Sequence, residues 1–274
     1  MKYLYLICFA LTIFPAVAQQ DVYLNIYHYL ENQPFAFNQT ASNDLDEDFQ
    51  LDRLEYYVAE ITLTYDGGQD TTIQDLWMLV DASENTEQFL GTFSFSTLES
   101  VSFGIGVQQS YNHLDPSTYP ADHPLAPQLP SMHWGWLAGY RFVALEGKVG
   151  TNDPLEIHAL GDVNYHLQTV STAGVVNGND LVIKLAADYT EALSIIPLTG
   201  GVVFHGETDE AAQLMTNFAT KVFSEADASA GVANHENVQV NFYPNTVTTG
   251  DEVMASETNA LCEKLVEHLR KDNA

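Results

Sequence analysis

The segment SMHWGWLAGYRF, residues 131 to 142, gathers the residues best equipped for chemistry: Met132, His133, Trp134 and Trp136, the last two being two of the chain's three tryptophans. Thioether and imidazole are ligands for copper-type metals, and an indole beside such a metal is open to contact or oxidation. With only Gly135 between them, the two indoles share one face of an extended segment. A packing role fits the same residues, as an aromatic pair buried next to a turn with His133 satisfied by a hydrogen bond.

Further imidazoles are needed to complete a metal site. His28 belongs to the alternating run from Asp21, with Val22, Leu24, Ile26 and Leu30 on its side, so it faces inward. His158 shares a face with Glu156 and Leu160 and points either into a site or out to water. Two such histidines from different strands, plus one group near Trp134, would form a three-point copper site. His205, His235 and His268 read as surface or packing residues, although His205-Gly206-Glu207 stands directly before a helix start.

Composition narrows the chemistry. Met1-Lys2, the apolar run Tyr3 to Phe14, then Pro15 and Ala16-Val17-Ala18 have the pattern of a secretory signal over residues 1–18. An exported chain is expected, periplasmic first, secreted or surface-held second. Cys8 leaves with the signal, so Cys262 alone remains and thiolate metal sites are excluded. With 9 basic and 37 acidic residues, a formal charge of −28 argues against nucleic acid and favours cations or plain solubility.

The elements that must position these residues are strands. The run Leu54 to Tyr65 ends at Asp66-Gly67-Gly68, a hairpin signal, and pairs with Ile73 to Asp81. Shorter runs follow at 93–95, 101–107, 140–146, 155–160, 165–170, 181–186 and 193–196. Their spacing predicts an all-β fold, a β-sandwich of mostly antiparallel strands with one or two peripheral C-terminal helices. A proline-rich loop over 110–130, carrying His113 and His123, delivers the chain into the tryptophan segment. Thr208 caps a helix over 208–223 with Leu214, Phe218 and Val222 at four-residue spacing. One sandwich domain over 19–240 is expected, then a tail over 241–274, helical from 252.

Other motifs fail on inspection. Asp44, Asp46, Asp48 and Glu55 mimic an EF-hand loop, but Phe49 stands where glycine must turn. Hydrolase elbow, zinc-protease and P-loop signatures are absent, so the chain is not read as an enzyme.

The order Leu54-Glu55-Tyr56-Tyr57-Val58, Ile61-Thr62-Leu63, Phe103-Gly104-Ile105-Gly106-Val107, Asn112, Met132-His133-Trp134-Gly135-Trp136, Gly139-Tyr140-Arg141-Phe142, Glu146-Gly147 and His158 resembles the MbnP-like family. These are exported copper-binding proteins related to the methanobactin-associated partner protein and to surface copper proteins of methanotrophs. The M-x-W-x-W-x-x-G-Y segment is the most specific element. The resemblance implies a β-sandwich holding one copper ion as Cu(I) through two histidines and a tryptophan oxidised to kynurenine, an oxidation attributed to a diheme peroxidase-like partner. Transferred here, Trp134 and Trp136 are the oxidation candidates, His158 and His28 the ligand candidates, and His133 competes with both. A weaker resemblance links VQVNFYPN, residues 238–245, to the start of the type IX secretion sorting domain.

Two readings follow. One is an exported protein for copper storage, delivery or scavenging. The other is a β-sandwich that binds a glycan, peptide or small apolar ligand through the proline-rich loop and its aromatics.

Overall fold

The computed structural model describes residues 18–227 and Ala230. Fifteen strands are seen among them: β1 (Gln20–Leu30), β2 (Gln33–Pro34), β3 (Thr40–Ser42), β4 (Asp48–Tyr65), β5 (Gln69–Thr72), β6 (Trp77–Asp81), β7 (Thr86–Phe93), β8 (Leu98–Ile105), β9 (Val143–Val149), β10 (Asp153–Ala159), β11 (His166–Ser171), β12 (Val175–Asn177), β13 (Asp180–Asp188), β14 (Val202–Gly206) and β15 (Phe223–Glu225). They form two sheets. The smaller runs β12-β13-β1-β2, with β7 and β15 attached. The larger runs β11-β8-β4-β9-β10-β14, with β3, β5 and β6 on β4. Pairing is antiparallel except for β1 with β13 and β10 with β14. The expected all-β fold is therefore present.

Burial follows the pleat in β1, where Val22, Leu24, Ile26 and Leu30 are buried and Tyr23, Asn25 and Tyr27 are partly exposed. In β4 the rule breaks, because Tyr56, Tyr57, Val58 and Ala59 are buried in succession. Both faces are covered there. Tyr56 faces the aromatic core with Tyr189, Phe218 and Phe223, whereas Tyr57 packs on Tyr140 and donates to the Pro124 carbonyl at 3.2 Å. The proline-rich loop is thus a lid over the outer face of β4. It carries one helical turn, α1 (Gln109–Asn112), a 3-10 turn at Pro116–Thr118, and the buried anchors Leu125 and Ala126.

Some boundaries move. The Asp66-Gly67-Gly68 turn leads into β5; a turn with Asp75 at φ +54° then interrupts the expected run, and β6 resumes at Trp77. The strand expected at 93–95 lies earlier, as β7, and the one at 193–196 is a 3-10 turn at Glu191–Leu193. The expected helix is α2 (Asp209–Asn217) followed by a π turn over Phe218–Val222. The acidic loop is structural: Asp44 accepts from Ser194 Oγ and Ile195 N, each at 2.6 Å, and Glu47 accepts from Leu198 N and Thr199 N. The readings at 1–17 (export signal), 238–245 (sorting resemblance) and 241–274 (tail, helical from 252) lie outside the described residues, as do His235, His268 and both cysteines.

Candidate metal centre

The parallel pairing of β10 with β14 sets His158 directly opposite His205. Their rings stack at 4.4 Å between centroids, 14° from parallel. Glu156, two residues before His158, shares its face, and its Oε1 lies 2.9 Å from His205 Nε2 and 3.7 Å from His158 Nε2. One ligand atom from each of the three lies within 4.8 Å of the other two. On the other side, Glu146 of β9 accepts from His158 Nε2 at 2.9 Å and from Arg53 Nη1 at 2.5 Å. Arg53 also donates to Glu55 at 2.6 Å. An acid–base stripe therefore crosses four neighbouring strands, from β4 to β14.

Burial acts most strongly on His158, which is 4% exposed, and lowers its imidazole pKa. The Glu146 hydrogen bond opposes this; the charges of Arg141 and His205 reinforce it. The ring is thereby held neutral, the form that binds metals. For Glu146, burial works upward, but the hydrogen bonds and charges of His158 and Arg53 outweigh it and keep the carboxyl below its ordinary value. The stripe offers two imidazoles, His158 and His205, next to the carboxyl groups of Glu146 and Glu156, a donor set suited to borderline transition metals.

Trp134 closes one side of the pair, its centroid 4.8 Å from that of His205 and 5.7 Å from that of His158. It is held by a tight turn in which Trp134 N donates to Gly139 O and Gly139 N to Gly135 O, both at 2.8 Å. Gly139 sits at φ +76° directly above Asn112, and a Cβ there would fall 2.3 Å from Asn112 Oδ1. Asn112, fully buried, accepts from Tyr140 N and donates to Asp162, which fastens the turn to the following loop. His113 adds a clamp, with Nδ1 2.9 Å from the Trp136 carbonyl and Nε2 3.2 Å from Asp162. The Trp136 carbonyl raises its pKa, burial opposes this, and the hydrogen bond and charge of Asp162 add to the rise. Beside this turn opens a cleft of about 940 Å³ lined by Trp134, Trp136, Leu137, Val163 and His205 among others.

Of the residues singled out in the sequence, His158 and Trp134 come together here. Trp136 stands at the rim, 74% exposed, and Trp134 is 41% exposed, so the two indoles are not a buried pair. Met132 is fully buried and its sulfur accepts from Arg53 Nη2 at 3.3 Å. His133 packs edge-on against Tyr140, takes Gly135 N on Nδ1 at 3.3 Å, and has a buried Nε2 without a hydrogen-bond partner. His28 lies in the other sheet, bonded to Tyr189 and Thr86. The second imidazole of the cluster is instead His205. Its strand, β14, is a five-residue run between Gly200-Gly201 and α2, read in sequence only as the approach to a helix. The Val202-Val203-Phe204 run was the available strand signal; the parallel register with β10 was not.

The protein is thus a β-sandwich with a histidine pair and a carboxylate on one sheet and a half-exposed indole beside them. The chain belongs to the MbnP family, whose model matches residues 19–215. Among solved structures, MbnP from Methylosinus trichosporium is similar at 14% identity, covering 70% of this chain and 82% of that one with a TM-score of 0.49. A comparison with curated proteins finds no match.

Proposed function

We propose that this is an exported copper-binding protein that holds Cu(I) between His158 and His205, with Trp134 as the flanking aromatic and the residue open to oxidation. The observation that carries the reading is the in-register, stacked imidazole pair, together with membership of the family. The residues fit the ion: two imidazoles suit Cu(I), Glu156 supplies a nearby carboxylate, and no cysteine lies among the described residues. Copper is cargo in this reading, stored, delivered or scavenged. The chain's own groups orient the rings, through Glu146 on His158 and Glu156 on His205, and border them with Trp134. Of the two candidate indoles, Trp134 touches both histidines, so a diheme peroxidase-like partner of the kind the resemblance implies is expected to act on Trp134 rather than Trp136. The signal-like residues 1–18 support export, with the periplasm the first expectation.

Chelator-competition titration with Cu(I) tests this. About one copper per chain is expected for the wild type, with binding lost in His158→Ala and in His205→Ala and kept in His28→Ala. Unchanged binding in both site variants would overturn the assignment. A second reading, binding of a small apolar ligand, is favoured by the 940 Å³ cleft with Trp136 and Leu137 on its rim. Ligand-dependent quenching of Trp136 fluorescence that ignores copper and survives His158→Ala would support it instead.

A further inference from the structure

We infer that Arg141 is a latch on the site: it competes with copper for His158 and must release that ring when the ion binds. The inference rests on the copper reading above, but its core is elementary hydrogen-bond accounting. Arg141 Nε lies 3.2 Å from His158 Nδ1. A guanidinium only donates, so Nδ1 presents its lone pair and the single proton of the neutral ring sits on Nε2. That proton is donated to Glu146, an acceptor, at 2.9 Å. Both nitrogens are thus taken, and the one lone pair of the ring is held by arginine.

Copper has two routes to His158, and each expels Arg141. If the ion takes Nδ1, it replaces the guanidinium outright. If it takes Nε2, the proton passes to Nδ1, where it faces the Arg141 N–H, donor against donor. The proton count of the ring is the same in both cases; only its position differs. The release reaches beyond His158. The same guanidinium stacks 4.6 Å from the Trp134 ring centroid and donates to the Ser131 carbonyl, while the Arg141 backbone N–H donates to Met132 O at 2.8 Å. Loss of the stack changes the surroundings of the indole that borders both histidines. Expulsion lowers the affinity of every cation by the same factor, so it leaves their ranking unchanged and keeps weak imidazole binders from occupying the site in a chain whose −28 charge attracts cations in general.

The test is Arg141→Met beside the wild type. Removing the competitor should raise Cu(I) affinity on the order of tenfold, the size expected for one charged hydrogen bond, while the melting temperature of the copper-free protein falls. A purely supportive arginine would lower both, and weaker Cu(I) binding by the variant than by a copper-binding wild type overturns the latch while leaving the copper reading intact. Histidine ¹⁵N spectra of the copper-free wild type give a readout independent of the variant's folding. They should show His158 protonated on Nε2 with Nδ1 as acceptor, and the Arg141 Nε–H resonance should shift on Cu(I) addition. A proton on Nδ1 in the copper-free protein overturns the latch whatever the affinities. If neither protein takes up Cu(I) although the Nε2–H tautomer is seen, it is the copper reading that fails.

Discussion

Among the described residues each sheet contains one parallel strand pair, and a histidine sits in each. In β1 with β13, His28 is opposite Ala187; in β10 with β14, His158 is opposite His205. The two rings arose from similar strand patterns, yet their surroundings differ in kind. His28 Nδ1 lies 2.6 Å from the Tyr189 hydroxyl and Nε2 3.1 Å from Thr86 Oγ1, and Tyr189 in turn meets Tyr56. Neutral hydroxyls meet both nitrogens of that ring. His158 meets a second imidazole, two glutamates and an arginine. A strand histidine becomes a candidate ligand through what the neighbouring strand places opposite it, and Ala187 against His205 is that difference.

The comparison breaks most visibly at Tyr189. It is fully buried among His28, Tyr56, Phe35 and Phe218, so Tyr189→Ala should cost about 3 to 5 kcal/mol of stability. Denaturant titration measures this, and the folded fraction should still bind copper. His205→Ala, at a partly exposed ring, is expected to do the reverse: copper is lost, and stability changes by less than about 1 kcal/mol. If Tyr189→Ala abolishes binding in folded protein, the two histidine regions are not independent.

The pH dependence sharpens the same contrast. Burial lowers the pKa of His28 from 6.5 to about 4, against weaker upward effects of the Glu84 backbone and the Asp81 charge. The folded value lies below the unfolded one, so the unfolded chain takes the proton first. Stability is therefore full above pH 6.5, falls as pH drops toward 4, and levels off below. At about 1.4 kcal/mol per pH unit the full loss from this one residue approaches roughly 3 kcal/mol. Denaturation curves at pH 7 and pH 4.5 should show a smaller pH difference in His28→Gln than in the wild type; equal slopes would mean that His28 does not titrate in this way.

Gly139→Ala probes the turn on the site side. At φ +76°, with Asn112 Oδ1 2.3 Å from the new Cβ, the substitution is expected to cost about 1 to 3 kcal/mol and to weaken Cu(I) binding by displacing Trp134. The matching change at Gly135, also at positive φ but with open space around it, should cost less. Equal losses at the two positions would mean that backbone strain alone, and not the contact with Asn112, accounts for the requirement.

How far the sequence could be read follows from which interactions are local. Alternation in β1, the strand character of β4, the Asp66-Gly67-Gly68 turn and the helix after Thr208 depend on neighbours a few residues apart, and they were legible. His158 and Trp134 were legible as candidates because one lies in a strand and the other in a distinctive segment. His205 was not, because its partner is 47 residues away and only the parallel register joins them. The separation of His28 from His158 was hidden for the same reason: an inward imidazole looks alike in sequence whether alanine or histidine lies across the ladder. Arg53 and Arg141 were hidden too, since their roles come from stacking and hydrogen bonds that cross strands and loops.

The smallest effect is expected at His113, whose exposed ring clamps the Trp136 carbonyl to Asp162. Its pKa is raised, first by the Trp136 carbonyl and then by Asp162. A raised folded value means the clamp contributes fully below pH 6.5 and is lost as pH rises through the folded pKa, the opposite sign to His28. Fluorine NMR of 5-fluorotryptophan protein follows this directly: the Trp136 resonance should move with rising pH in the wild type and stay flat in His113→Gln. Cu(I) affinity in that variant should change by less than about fivefold, as for an exposed ion pair, because the clamp touches the rim and not the imidazole pair. A Trp136 signal that titrates identically in both proteins would remove His113 from the turn and leave Asn112 and Gly139 as its principal fastening.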